Sequence, residues 1–247
     1  EPLVAAVQDL LAFDDALAAL RRYSLLEVAG DALALHRLVQ AVVRDRLDYG
    51  SQKQWAGAAV EIVNSAFPGG NFDREPETWP WCARLLPQAL AAAGHAETLK
   101  VNLPATGQAL VRCGFYLQIR AEFAGAQACY ERALALDEAA YGPNHPEVAT
   151  DVNNLGNVLQ DLGDLPGAKA HFERALALDE AAYGPNHPDV ARDVNNLGYV
   201  LQALGDLPGA KMHYERALAI FEQFLGDDHP NTKIVQDNLA ALDSSQD

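Results

Sequence analysis

Between residues 146 and 162, apolar side chains recur at helical spacing. Val152, Leu155, Gly156 and Leu159 share one stripe, while Asn153, Asn157 and Gln160 fall opposite it. The pattern predicts a helix from Pro146 to Leu162. Proline suits the first turn, where its missing N–H costs nothing. Gly163 ends the helix and Asp164 opens a turn. A second helix follows from about Pro166 to Tyr183, with Ala168, Phe172, Ala175 and Leu176 as its inner stripe. Gly184-Pro185 stops it, because glycine accepts a left-handed cap and proline cannot continue a helix.

This two-helix unit repeats. Tyr130-Glu131-Arg132-Ala133-Leu134-Ala135-Leu136 returns as Phe172-Glu173-Arg174-Ala175-Leu176-Ala177-Leu178, and again from Tyr214 to Ile220, at a step of 42 residues. Segments 130–171 and 172–213 differ at six of 42 positions. A diverged third copy continues from Tyr214, and a degenerate earlier half begins near Leu103. Small residues recur at fixed places, Gly156 and Ala168 matching Gly198 and Ala210, and Gly114 and Ala126. They let helix backbones approach closely.

Leu-Gly, followed by Ala with an aromatic four residues on, resembles the tetratricopeptide pattern. Asn153-Asn154-Leu155-Gly156, the Gly-Pro-Asn-His-Pro connector and the 42-residue period resemble the kinesin-light-chain type of that repeat; the standard unit has ~34 residues. The likeness covers about residues 103–242. It implies a mainly α fold, an α-α superhelix in which the first helix of each pair lines a concave binding face.

The stripe opposite the core then becomes the candidate ligand surface. It comprises Thr150, Asn153, Asn157, Gln160 and Asp161 in the second unit, and Arg192, Asn195, Tyr199, Gln202 and Ala203 in the third. The first unit offers Gln108, Val111, Phe115, Gln118 and Ile119. Of the six differences between the near-identical copies, Tyr130/Phe172 and Glu147/Asp189 are conservative. The others are Thr150/Arg192, Asn157/Tyr199, Asp161/Ala203 and Ala170/Met212, and three of these four lie on the stripe. A duplicated scaffold diversified where it meets a partner would look like this. So would free drift at exposed positions.

Amides donate and accept, so Asn153, Asn195 and their neighbours suit an extended peptide backbone. Asn153, Asn195 and Tyr199 are expected to be exposed. For Asn154 and Asn196 two readings stand, ligand binding or bonds between helices. His145, His187 and His229 recur at the repeat step, which suits a helix-start role better than metal ligation, because a metal needs convergent ligands. Cys113 falls on the core stripe, where a free cysteine is a small hydrophobe.

Residues 1–102 differ in character. Asp14-Asp15 can start a helix carrying Ala16, Leu17, Leu20 and Tyr23. Ser24–Val28 and Ala32–Leu35 flank Ala29-Gly30-Asp31 and read as a β-hairpin. His36 opens a further helix whose stripe continues through Val42, Val43 and Leu47. Helix, hairpin, helix resembles the end of a winged-helix domain. Leu20-Arg21-Arg22-Tyr23-Ser24-Leu25-Leu26 and Leu35-His36-Arg37-Leu38-Val39-Gln40 resemble the winged-helix region of bacterial STAND NTPases of the NB-ARC type. That family carries a Met-His-Asp-like motif whose histidine senses nucleotide phosphates. His36 matches it and Arg37 replaces its acid. The resemblance implies ATP or ADP in an upstream nucleotide-binding domain that this segment contacts, and oligomerisation on activation. The implied organisation is a partial winged helix at 1–50, a helical bridge at 51–102 with apolar stripes around Trp55 and Trp79, and repeats at 103–247. A start at Glu1 rather than Met, within a helical pattern, suggests a longer parent.

Charge narrows the functions. The net charge is −16, with −12 of it from residue 101 onward. Phosphate neutralisation needs clustered Lys and Arg, so generic nucleic-acid binding is disfavoured. Three sparse cysteines suit a reduced cytoplasmic protein, and no membrane span or secretion signal is visible. No Gly-Lys dipeptide, Gly-x-Ser-x-Gly or His-Glu-x-x-His occurs. The expected function is therefore non-catalytic, without a cofactor or metal of its own: a sensor holding a protein or peptide on the repeat surface. Two alternatives are a winged-helix DNA-binding regulator, using Arg21, Arg22, Arg37, Arg44 and Arg46, and a self-assembling scaffold.

Overall fold

A computed structural model of the 247-residue chain describes residues 17–22, 25–29, 32–68 and 75–244. The expected helix start at Asp14-Asp15, together with Ala16, Tyr23, Ser24, the hairpin turn Gly30-Asp31 and the break at Gly69-Gly70-Asn71, lies outside the described residues. The chain divides into two compact units, 1–55 and 56–247.

In the first unit residues 17–22 are helical. Strand β1 (Leu26–Ala29) pairs antiparallel with β2 (Ala32–Leu35), placing Leu26 opposite Leu35. Helix α1 (Arg37–Arg46) starts at His36, whose Nδ1 accepts the Leu38 N–H at 3.2 Å. None of its residues is buried, and Leu38, Val42 and Val43 are exposed. Helix α2 (Tyr49–Ala66) begins behind Asp48, which accepts from the Ser51 N–H and hydroxyl at 3.0 and 2.7 Å.

The second unit takes the end of α2, a short 3-10 turn at Pro76–Thr78 and α3 (Trp79–Leu99). The bulky residues on α3 are not its main buried face. Trp81 is exposed, and Cys82, Ala89, Ala92, Ala93 and Ala96 are buried, because their short side chains admit the neighbouring helices closely. Three helix pairs follow: α4 (Leu103–Ile119) with α5 (Phe123–Tyr141), α6 (Pro146–Asp161) with α7 (Leu165–Tyr183), and α8 (Pro188–Ala203) with α9 (Leu207–Leu225). Each pair stacks on the next, and α10 (Pro230–Ser244) packs on α9 and α8.

The repeated small residues explain the pairing. A Cβ on Gly114, Gly156 or Gly198 would come within 2.8, 2.6 or 2.7 Å of the ring of Tyr130, Phe172 or Tyr214 respectively. Each aromatic ring therefore lies directly on the facing helix backbone. Between repeats, Arg174 pairs with Glu138 and Arg216 with Glu180, while Arg132 pairs with Glu97 of α3 at 2.9 Å. Cys82, Cys113 and Cys129 are buried free thiols, and burial pushes Cys113 up to about 12. No described helix is long and apolar enough to cross a membrane.

Candidate functional site

Three junctions join each second helix to the next first helix, and their chemistry differs. Asp137 of α5 meets Asp151 of α6, and Asp179 of α7 meets Asp193 of α8. Phe221 of α9 shares a core with Val235 of α10 at the equivalent positions. In each pair the carboxyls lie side by side, and the charge of Asp137 or Asp179 opposes ionisation of Asp151 or Asp193. Asp151 is 2% exposed and Asp193 0%. Burial pushes the Asp151 carboxyl up to about 8, and the Asp137 charge adds to it. Burial also dominates at Asp193, which rises to about 8 although Arg192 pulls the other way.

The pairs differ in what faces them. At the second, Arg192 lies 3.6 Å from Asp179 Oδ2, 3.1 Å from Asp189 Oδ1 and 3.7 Å from Asp193 Oδ1. At the first, the position of Arg192 is held by Thr150, which is exposed. No described donor reaches Asp137 Oδ1 or Asp151 Oδ2; at the second junction neither Asp193 oxygen is hydrogen-bonded either, and Arg192 approaches it as a charge only. Here the surface opens into a pocket of about 480 Å³. Gln108 and Val111 line it from α4, Asp137 and Tyr141 from α5, and Glu147, Thr150 and Asp151 from α6. The structure thus gathers Gln108, Val111 and Thr150 of the candidate stripe, along with carboxyls that the stripe did not include. A signal for them was present: Asp151 stands between Val148 and Val152 on a buried helix face, where an apolar residue belongs.

The amides are arranged differently from the expectation. Asn153 is not on the open surface where its stripe position puts it: it is 5% exposed, and its Oδ1 accepts from Asn196 Nδ2 at 2.9 Å. Asn195 is half-buried and accepts in the same way from Asn238 Nδ2 at 3.0 Å. Such a ladder bridges adjacent repeats and satisfies buried amides that have lost water. Asn196 therefore bonds between helices. Asn154 is half-buried, and Val111 stands where its ladder partner would be.

Gln118 and Gln202 are also pinned. Their Oε1 atoms accept from the hydroxyls of Tyr130 and Tyr214 at 3.1 and 3.0 Å, and Gln118 Nε2 donates to Asp161 at 2.6 Å. Gln160 faces Phe172, which has no hydroxyl, and position 203 carries Ala where its repeat equivalent is Asp161. Two of the six copy differences thus leave the Gln160 amide unpinned. Asn157 is half-buried, and Tyr199 at the same repeat position is 49% exposed. Phe115 and Ile119 pack against the core beside α3.

The connector histidines start helices. His145, His187 and His229 accept through Nδ1 from the backbone N–H of Glu147, Asp189 and Asn231, each at 3.2 Å. His145 and His187 also stack on Tyr141 and Tyr183 at 4.7 and 4.5 Å between ring centres. Among the described residues, no three His, Cys, Asp or Glu side chains gather to hold a metal ion.

Paired antiparallel helices stacked at a fixed step, with one face diversified between copies, define a helical-repeat interaction module. Family comparison specifies which. Residues 106–147, 150–198 and 192–247 match family models described as tetratricopeptide repeat. Among solved structures, BtubC (BKLC) from P. vanneervenii is similar at 21% identity and a TM-score of 0.55, over 81% of this chain and 85% of that one. A putative kinesin light chain from Podosopora anserina with nearly identical TPR-like repeats is similar at 18% identity and a TM-score of 0.50, over 70% of this chain and 87% of its own. A singly substituted form of that same protein is similar at 16% identity and a TM-score of 0.52, over 72% and 89%. No curated protein matches. The chain belongs to the tetratricopeptide-repeat proteins, with matched repeats between residues 106 and 247 and a fold similar to that of the kinesin-light-chain repeats above.

Proposed function

We propose that the repeats hold a protein or peptide ligand on the face formed by α4, α6 and α8. The observation that carries this reading is the divergence of two nearly identical repeats. It has opened an acidic pocket at Thr150, released Gln160 and exposed Tyr199 on that one face. Gln160, Asn157, Asn154 and Tyr199 are the residues left to contact a ligand. Asn153, Asn195, Asn196 and Gln202 hold the surface in shape through the bonds described above, and Arg192 faces the second aspartate pair.

We further propose that this module is the sensing part of a STAND-type signalling NTPase, non-catalytic in itself. The support is the residue likeness at 20–26 and 35–40 and the order hairpin, then α1. Leu38, Val42 and Val43 on α1 offer an apolar face to an upstream nucleotide-binding domain that would carry the ATP or ADP. His36 spends Nδ1 on the helix start, which leaves Nε2 for a phosphate.

The ligand-binding reading is tested with peptides selected from a random display library on the 247-residue chain. Tyr199→Ala and Gln160→Ala should each weaken them about tenfold, with helical circular dichroism unchanged. Unchanged affinity for every selected peptide would remove the ligand from this face. The NTPase reading fails if the upstream coding sequence has no phosphate-binding loop.

A further inference from the structure

The repeats contain their own control experiment on what the open pocket takes. Asp137, Tyr141, Glu147, Thr150 and Asp151 correspond one repeat later to Asp179, Tyr183, Asp189, Arg192 and Asp193. Four of those five positions keep their chemistry: the paired aspartates, the tyrosine stacked on a connector histidine, and an acid in the first helical turn. The fifth supplies the guanidinium. At the second junction that guanidinium lies within 3.1–3.7 Å of three carboxylates. At the first, the carboxylates remain and the guanidinium is missing.

We infer that the pocket bounded by Asp137, Glu147, Thr150 and Asp151 is an arginine-anchor site, which takes a guanidinium from the bound partner where Arg192 supplies one from the chain itself. The proposal rests on the ligand-face reading above and adds the chemistry of the partner: an arginine-bearing segment. Three further observations support it. Asp151, almost wholly buried, keeps an oxygen that no described donor reaches; both Asp193 oxygens also lack a hydrogen bond, but there Arg192 stands against the pair at 3.6 and 3.7 Å. A volume of about 480 Å³ holds an arginine side chain with adjoining backbone. Tyr141 adds an aromatic wall, and planar guanidinium suits both a ring face and a carboxylate better than ammonium does.

Charge selects the same ligand. The groups facing the pocket are Asp137 and Tyr141 from α5, and His145, Glu147 and Asp151 from the connector and α6; Asn102, just before α4, and Gln108 on α4 are neutral. Burial holds a proton on Asp151 up to about pH 8, and a guanidinium seated there displaces it. Binding should therefore release a proton and tighten as pH rises from about 6 to 8.

The test titrates the 247-residue chain with N-acetyl-arginine amide, followed by backbone NMR shifts of residues 137–151. N-acetyl-citrulline amide, its neutral isostere, is the control. Saturable binding is expected with a dissociation constant on the order of 10 mM or tighter, and at least tenfold weaker binding of citrulline. Thr150→Arg should abolish the arginine effect and raise Tm more than Thr150→Gln, since the chain then fills its own pocket. Arg192→Thr should create a second saturable site, with shifts at residues 179–193. Absent saturation, equal binding of citrulline, or undiminished binding by the folded Thr150→Arg variant would overturn the assignment. So would displacement of bound arginine amide by millimolar Ca²⁺ at constant ionic strength. If display-selected peptides depend on Tyr199 but are indifferent to Thr150→Arg, the anchor fails while the ligand face stands.

Discussion

The first and second aspartate junctions are nearly the same sequence folded in the same way, yet one is closed by its own chain and the other is open. A single change, Thr150 against Arg192, separates them at the centre. The third junction solves the same packing problem with Phe221 and Val235, both buried, and no charge. Stacking therefore does not require the acids. Apolar pairs pack as well, and buried ionic groups are weak sources of stability compared with apolar replacements of similar size. Two buried carboxyl pairs retained in the middle of the array fit a role in recognition better than one in stacking.

The largest effect should come from forcing the acid onto the apolar junction. Val235→Asp puts one carboxyl at a fully buried position beside Phe221, with neither a second acid nor an arginine to accompany it. Loss of apolar burial and the cost of burying the carboxyl should together destabilise by about 4 kcal/mol, read by urea denaturation. A cost below about 1 kcal/mol would mean that this junction tolerates acids as the other two do, and that their distribution carries no information.

Next is the counter-charge. Arg192→Met keeps an unbranched apolar stem but strips Asp179 and Asp193 of their cation. Removing one partner of a fully buried pair costs about 3–5 kcal/mol. Arg192 is partly solvated, so about 2 kcal/mol at pH 8 is expected. The loss should shrink at pH 5, where the aspartates can take up protons instead. A loss equal at both pH values would show that Arg192 acts through packing alone.

At the open junction the sign reverses. The folded state raises the Asp151 pKa, so it binds the proton more tightly than the unfolded chain does. The resulting stability is fully present below the ordinary carboxylate range, near 4. It is lost as pH climbs and is gone once pH passes about 8. Asp151→Asn imitates the protonated form. It should stabilise by about 1–2 kcal/mol at pH 8 and flatten the fall of Tm between pH 5 and 8. A variant less stable than the parent at pH 8 would place the charge on the stabilising side.

The repeat step, the helix bounds to within a residue or so and the close helix approach at the repeated small residues were all legible in the sequence, because periodicity and small residues report local packing directly. The junction chemistry was harder to see. Asp137 and Asp151 are separated by a helix end, a connector and a helix start, so their meeting is tertiary. The amide ladder joins residues 43 apart, one beyond the period, and aligning the repeats column by column hides that offset. Asn153 accordingly looks free when read within its own unit. Asp151 and Asp193 did carry a trace, as acids on an otherwise apolar stripe.

A smaller effect sharpens the comparison between the first unit and its successors. Ala121 has φ +58° where the later units place Gly163 at +83° and Gly205 at +86°. A Cβ is disfavoured in the left-handed region, and Gly adopts it freely. Ala121→Gly should therefore stabilise by about 0.5–1 kcal/mol, even though glycine makes the unfolded chain more flexible. Thermal denaturation reads the gain. A loss would mean that the first unit has relaxed around its alanine.

The smallest effect tests how divergence released the Gln160 amide. Tyr130 and Tyr214 show that the site beneath this glutamine column accommodates a phenol hydroxyl. Phe172→Tyr restores that hydroxyl within the α6/α7 pair. It should pin Gln160 as Gln118 and Gln202 are pinned, adding about 0.5 kcal/mol and slowing side-chain amide exchange by NMR. If the Gln160 amide contacts the ligand, the same substitution must weaken display-selected peptides while stabilising the protein, because an acceptor already engaged has less to offer. Stability and affinity rising together would show that Gln160 is structural and that the ligand face begins elsewhere, at Tyr199 and the open pocket.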